Sequence, residues 1–146
     1  MDRIVSVAPA TKEDAPAIMS MIQELARSSN GTTLLDESFV NQYLAAINNH
    51  VLLAKVGGDV IGLLSYTLRL NLLHAGIIAI IEELVVRKEN RQSGVGTVLM
   101  NDLFRRLERG GCKEIAVFAT QDNKAALRFY RQHGLMDCAI IMKRQL

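Results

Sequence analysis

The stretch Arg87–Thr97 joins a long apolar run to a helical stripe, and its residue types suit the capture of a phosphate. Free amides at a helix N-terminus point outward and carry partial positive charge, so a strand, a glycine turn and a helix in that order favour an anion. Gly94 and Gly96 leave the backbone open to close approach, and Arg87, Lys88 and Arg91 add positive charge beside it. A Walker A loop would end in Gly-Lys-Ser/Thr, whereas Gly94-Val95-Gly96-Thr97 contains no lysine. A dinucleotide fingerprint would put a third glycine where Leu99 stands, and would follow the first strand of a parallel unit. The plain alternative is a glycine-assisted turn with no ligand. The basic approach and the helix behind it weigh against that alternative.

The elements around this turn follow from periodicity. Apolar residues recur at Val95, Leu99, Leu103 and Leu107, one face of a helix that Gly110-Gly111 stops. Upstream, Gly76–Val86 is long and almost continuously apolar, as suits a central strand covered on both faces. His50–Val56 and Val60–Arg69 read as strands joined at Gly57-Gly58-Asp59, with Leu70–Ala75 as a connection. A short strand at Ile4, Val5 and Val7 precedes a helix started by Thr11 and Asp14 and carried by Ile18, Ile22 and Leu25. A second helix is predicted over Glu37–Asn48, with Val40, Leu44 and Ile47 inward. Glu114–Ala119 is a further strand, Lys124–His133 a helix stopped at Gly134, and Ala139–Met142 a last strand. Strands mixed with helices in this order predict an α/β domain with a mixed sheet, spanning residues 1–146 as one unit.

Bulk properties narrow the function. A 49% hydrophobic share with 22% charged residues predicts a folded core, and the slight apolar excess hints at a homodimer interface. A net charge of +2 without a basic run argues against a nucleic-acid partner. Glu82 and Glu83 interrupt the longest apolar stretch, so no membrane span is expected. Met1-Asp2-Arg3-Ile4 lacks the apolar core of a signal peptide, and Cys112 and Cys138 read as free thiols in a reducing cytoplasm. No His/Cys/Asp grouping has metal-ligand spacing, so no metal is expected.

Arg91-Gln92-Ser93-Gly94-Val95-Gly96 resembles the Arg/Gln-x-x-Gly-x-Gly/Ala signature of the GNAT superfamily of N-acetyltransferases. Ile81-Glu82-Glu83-Leu84-Val85-Val86 resembles the strand that precedes that signature. Asn123 to Tyr130, followed by Gly134-Leu135, resembles the family's Asn-x-x-Ala-x-x-x-Tyr helix and Gly-Phe ending. Three short motifs in order and spacing carry the resemblance, over roughly residues 77–135. Leu135 replaces the usual phenylalanine, Gln92 replaces a common glycine, and the tail leaves little room for a final hairpin.

The resemblance implies the GNAT fold: a twisted mixed sheet of six to seven strands flanked by about four helices, with the fourth and fifth strands splayed. It implies acetyl-coenzyme A as co-substrate, held by Leu84, Val85 and Val86 along the slot and by Arg91, Gln92, Ser93, Gly94, Val95, Gly96 and Thr97 around the pyrophosphate. Asn123 and Ala126 would contact pantetheine or nucleotide, and Asn123 would cap its helix in any case. The Val86 amide would face the thioester carbonyl, and Tyr130 would return a proton to the leaving sulfur, its alternative being a packed ring beside Leu127. Acyl transfer to an amine favours a general base, because a simple ammonium with pKa near ~10 has no lone pair. Glu82 and Glu83 are the candidates. Alternation along a strand predicts that they face opposite sides of the sheet, with one in the cleft, and the resemblance inclines towards Glu82. The other would pair with an arginine. The acceptor is expected to be a small-molecule primary amine, bounded by the two N-terminal helices and the Leu70–Ala75 connection. A protein N-terminus or lysine is the alternative, and a non-catalytic acyl-coenzyme A sensor a third. His74 either lines the acceptor site or is an exposed loop residue.

Overall fold

The computed structural model describes residues 4–146, so the sequence reading at Met1, Asp2 and Arg3 lies outside the described residues. The chain runs β1 (Ser6–Pro9), α1 (Ala15–Ser28), α2 (Glu37–Ala45), β2 (Asn49–Val56), β3 (Asp59–Asn71), β4 (Gly76–Val86), α3 (Val95–Arg109), β5 (Glu114–Val117) and α4 (Lys124–Gln132). The sheet order is β1-β2-β3-β4-β5, antiparallel except for the parallel pair β4–β5.

Helices cover both faces of this sheet, which is why its central strands read as continuous apolar runs. Leu52, Ala54, Leu64 and Tyr66 pack on one face with Leu99, Met100 and Leu103 of α3. Val51, Leu53 and Leu63 pack on the other with Ile18 and Met21 of α1 and Val40 of α2. Successive residues of β2 thus feed the two cores alternately. Where α3 crosses β3, Gly62 has no side chain; a Cβ there would come within 2.9 Å of a Val95 methyl and 3.1 Å of a Leu99 methyl. The reciprocal Thr11–Asp14 capping box expected at the first helix is present.

Several elements differ from the sequence reading. The sheet has five strands among the described residues rather than six to seven. Ala139–Met142 forms no strand; Ile140 and Met142 are 87% and 92% exposed. A strand needs a surface to cover it, and beyond Leu135, which packs on the α3-side core, the tail is exposed throughout. The second helix stops at Ala45 because Ala46 turns extended, so Ile47, expected inward, is exposed. The β3–β4 hairpin is longer than expected: β3 reaches Asn71, and the Asn71 side chain accepts from the His74 amide at 2.9 Å to shape the turn. No helix among the described residues is long and apolar enough to cross a membrane. Cys112 and Cys138 are both free.

Candidate active site

The ladder between β3 and β4 slips at one point. Tyr66 pairs with Ile81 and Ser65 with Glu83, leaving Glu82 as an extra residue. This bulge overturns the expected alternation of the two glutamates. Glu83 accepts a hydrogen bond from the Ser65 hydroxyl, and Glu82 accepts one from the Thr67 hydroxyl at 3.1 Å. Ser65 and Thr67 are two apart on one strand and so share a face. Both carboxylates therefore lie on the α1–α2 side of the sheet, and among the described residues neither pairs with an arginine.

Their surroundings differ. Glu82 is exposed, whereas Glu83 lines a cavity of about 240 Å³ between the sheet and the two N-terminal helices. Ile18, Ile22, Val40, Leu44, Val51 and Leu63 supply much of the wall, with Tyr43, Ser65 and Glu83 as polar groups. Burial pushes the Glu83 carboxyl above its usual range; the Ser65 hydroxyl opposes this and the Glu82 charge adds to it. The Ser65 hydroxyl also accepts from the Glu83 amide at 3.0 Å, fixing the carboxylate against β3. Burial, reinforced by the charges of Glu83 and Glu82 and opposed by Ser65, pushes the Tyr43 phenol up to about 12, so it stays protonated. The Tyr43 hydroxyl oxygen is shielded from solvent without a hydrogen-bond partner among the described residues.

The opposite edge of β4 opens beyond Ile81. The β4–β5 ladder ends at the Ile81–Val117 pair, so Glu82–Val86 has no strand partner on that side. Arg91 donates from its Nε to the Val86 carbonyl at 3.1 Å. The N–H and C=O of one strand residue point to the same edge, so the Val86 amide also faces the opening. Leu84 and Val86 pack on the α3 side, while Val85 is buried on the other and offers only backbone.

At the end of this opening stands the start of α3. Gly94 caps it with φ 86°, a left-handed conformation that favours glycine, and no side chain caps the first-turn amides. Val95 is buried, so its amide rather than its side chain is available, while Gln92, Ser93 and Thr97 are exposed. The Ser93 hydroxyl is turned back onto the Asn90 carbonyl. Of the three basic residues expected near the phosphate, Arg87 is committed elsewhere: it donates to Ser20 at 2.9 Å and lies 3.7 Å from Glu24, both on α1. Lys88 and Arg91 remain exposed around the turn.

Helix α4 closes this side. Asn123 caps it, its side chain accepting from the Ala126 amide at 3.2 Å. Phe129 packs against α3 through Gly96, where a Cβ would come within 3.1 Å of the ring. Tyr130 meets Phe129 edge-on with ring centroids 5.4 Å apart, and burial raises its phenol pKa. His74 sits at the far end of β4, 3.1 Å from Glu114, as an exposed turn residue.

The sequence reading missed Tyr43 and Ser65. Tyr43 carried a signal: it lies three residues after Val40 on the inward stripe of α2. Ser65 is the one buried polar residue among the described side chains, and it is reached only through strand pairing.

The β4–β5 ladder thus ends beside a helix start that no side chain caps, with the half-buried Glu83 on the adjoining face. The sequence profile of the Acetyltransferase (GNAT) family matches residues 16–135. The chain belongs to that family and is an acetyl-coenzyme A-dependent N-acetyltransferase. The aminoalkylphosphonate N-acetyltransferase of Salmonella typhimurium is 28% identical over 125 residues, covering 86% of this chain and 80% of that protein. An aminoglycoside acetyltransferase from an uncultured soil metagenomic sample shares the fold with a TM-score of 0.87 at 18% identity, over 97% of this chain and 96% of that one. An aminoglycoside N-acetyltransferase in complex with coenzyme A has a TM-score of 0.84 at 16% identity, over 99% and 97% of the two chains.

Proposed function

We propose that this enzyme transfers the acetyl group of acetyl-coenzyme A to the primary amine of a small molecule by direct attack, with Glu83 as the general base. The observation that carries the reading is that one stretch of β4, Glu82–Val86, borders both the internal cavity and the opening towards β5. An amine in the cavity and a thioester in the opening would then meet across a single strand. Glu83 rather than Glu82 is the proton acceptor because it is the carboxylate that reaches the cavity. Burial brings its pKa closer to that of an ammonium, which eases the transfer.

The donor lies along the opening. The amides of Val95, Gly96 and Thr97 hold the pyrophosphate with the helix behind them, and exposed Lys88 and Arg91 add charge. The Val86 amide donates to the thioester oxygen as negative charge develops there. Asn123, its side chain used by the cap, orders the helix that carries Ala126 and Tyr130 against the pantetheine arm. Tyr130 returns a proton to the sulfur; its raised pKa keeps it protonated at neutral pH. A relative that acetylates aminoalkylphosphonates and fold neighbours that acetylate aminoglycosides favour a small-molecule amine over a peptide. Following free thiol release from acetyl-coenzyme A across an amine collection tests the reading. Absence of release with every small amine, together with release on a lysine-containing peptide, would favour the protein acceptor instead.

Two substitutions probe the donor side. Gly96→Val places a Cβ against Phe129 and narrows the turn, so coenzyme A affinity should fall at least ~10-fold, about 1.4 kcal/mol. Unchanged affinity by calorimetry would remove the pyrophosphate from this turn. Tyr130→Phe should lower kcat by roughly 10²-fold or more while coenzyme A affinity changes little, because it removes a proton donor and keeps the ring. Wild-type kcat in steady-state assays would leave Tyr130 a packing residue.

A further inference from the structure

The cavity's lining narrows the acceptor, an inference that rests on the acetyl-transfer reading above. Its volume of about 240 Å³ leaves room for one ring or a branched chain on a short linker. None of the lining side chains is a lysine, arginine or histidine, and the one carboxylate among them is Glu83. A phosphonate entering here would find no cation to offset its desolvation, and would meet Glu83 as a like charge. A polyamine built of hydroxylated rings would carry several ammonium groups to one carboxylate and bury its hydroxyls against Ile18, Val40 and Leu63. A second hollow opens at the cavity mouth, sharing Thr33, Leu35 and Phe39. Its one carboxylate, Asp36, is held by the Phe39 amide at 2.8 Å as the cap of α2.

The Tyr43 hydroxyl gives a second, independent observation. It lines the cavity beside Ser65, is shielded from solvent and completes no well-aligned hydrogen bond among the described residues, so a ligand nitrogen can take up its remaining capacity. A protonated phenol oxygen can accept from an N–H and can donate to a nitrogen lone pair.

We infer that the acceptor is a primary monoamine bearing a compact apolar group, alkyl or aryl, whose nitrogen sits between Glu83 and the Tyr43 hydroxyl. The incoming ammonium gives one proton to the Glu83 carboxylate. Its freed lone pair forms the N–C bond to the acetyl carbonyl carbon, the C–S bond breaks, and its electron pair leaves on sulfur. The second nitrogen proton is lost as the amide forms, and the thiolate is protonated. The products are an N-alkylacetamide, coenzyme A and one proton released to solvent.

The test compares kcat/KM by thiol release for 2-phenylethylamine, 3-methylbutylamine, 2-aminoethylphosphonate, sisomicin and a lysine-containing peptide. The two apolar amines should exceed the other three by at least 100-fold. Equal or better turnover of the phosphonate, sisomicin or the peptide would overturn the acceptor class while leaving acetyl transfer intact. Binding of 2-phenylethylamine in calorimetry without thiol release would uphold the ligand class and overturn the transfer chemistry; neither binding nor release would overturn both. Leu35→Arg, at a half-buried wall position, should cost 2-phenylethylamine at least 10-fold in kcat/KM and raise 2-aminoethylphosphonate by at least 10-fold. Tyr43→Phe should raise KM for the apolar amines at least 5-fold, and an unchanged KM would remove the hydroxyl from the nitrogen site.

Discussion

Glu83→Gln is expected to lower kcat/KM at neutral pH by roughly 10²–10⁴-fold and to recover part of the loss at alkaline pH. The loss is the contribution of a positioned proton acceptor. The recovery follows because an alkyl ammonium loses its own proton near pH ~10, after which no base is required. In the wild type the working form is the carboxylate. Its pKa is raised by burial, so the acid limb of the kcat/KM profile should lie above the range of an ordinary glutamate. Glu82 contributes to that shift through its charge, so Glu82→Gln should move the limb to lower pH with little effect on the plateau. The stability effect runs the other way. A carboxyl with a raised folded-state pKa binds protons more tightly in the native state, so its ionisation erodes stability as pH rises from the unfolded towards the folded value. Glu83→Gln removes that cost and should leave Tm at neutral pH equal to the wild type or higher. Lost activity with a lowered Tm in calorimetry would mean that the substitution damages the fold rather than the chemistry.

The second large effect concerns α3, the helix whose start is proposed to hold the pyrophosphate. Leu99 is fully buried and lies beside Gly62 on β3 at the contact between α3 and the sheet. Leu99→Ala should cost about 2–5 kcal/mol through lost transfer energy and the cavity left behind. For a domain of this length that corresponds to a fall in Tm on the order of 10 °C, read by calorimetry. The same change loosens the start of α3 from the sheet, so coenzyme A affinity should fall with it. Saturating coenzyme A should in turn restore part of the lost Tm by mass action.

Much of this arrangement is legible in the sequence because it depends on local pattern. The stripe Val95, Leu99, Leu103 and Leu107, the two-faced run Gly76–Val86 and the Asn123 cap are set by neighbours a few residues apart, and each is found where periodicity places it. The side on which Glu82 lies depends instead on how β4 pairs with β3, a contact between residues about fifteen positions apart, and alternation alone misassigns it. The cavity combines Ile18, Tyr43, Val51 and Glu83 from four elements, so no single segment announces it. Arg87 reads as part of a basic loop until Ser20 and Glu24 of α1 claim it. Ala139–Met142 has strand composition but no strand, because β-propensity reports a fit to a half-buried surface that must come from elsewhere.

The slip in the β3–β4 ladder has an evolutionary reading. A bulge is an insertion that a sheet has absorbed without re-registering what lies on either side. Ile81 keeps its place opposite Tyr66 and Glu83 its place opposite Ser65 whether or not a residue intervenes. Position 82 is therefore a point at which one side chain can be gained, lost or exchanged while both cores keep their partners. A one-residue change in length elsewhere along β4 would turn every following side chain to the opposite face. A change of length at position 82 thus stays local to the bulge, and the register of Leu84, Val85 and Val86 and the start of α3 are left as they are.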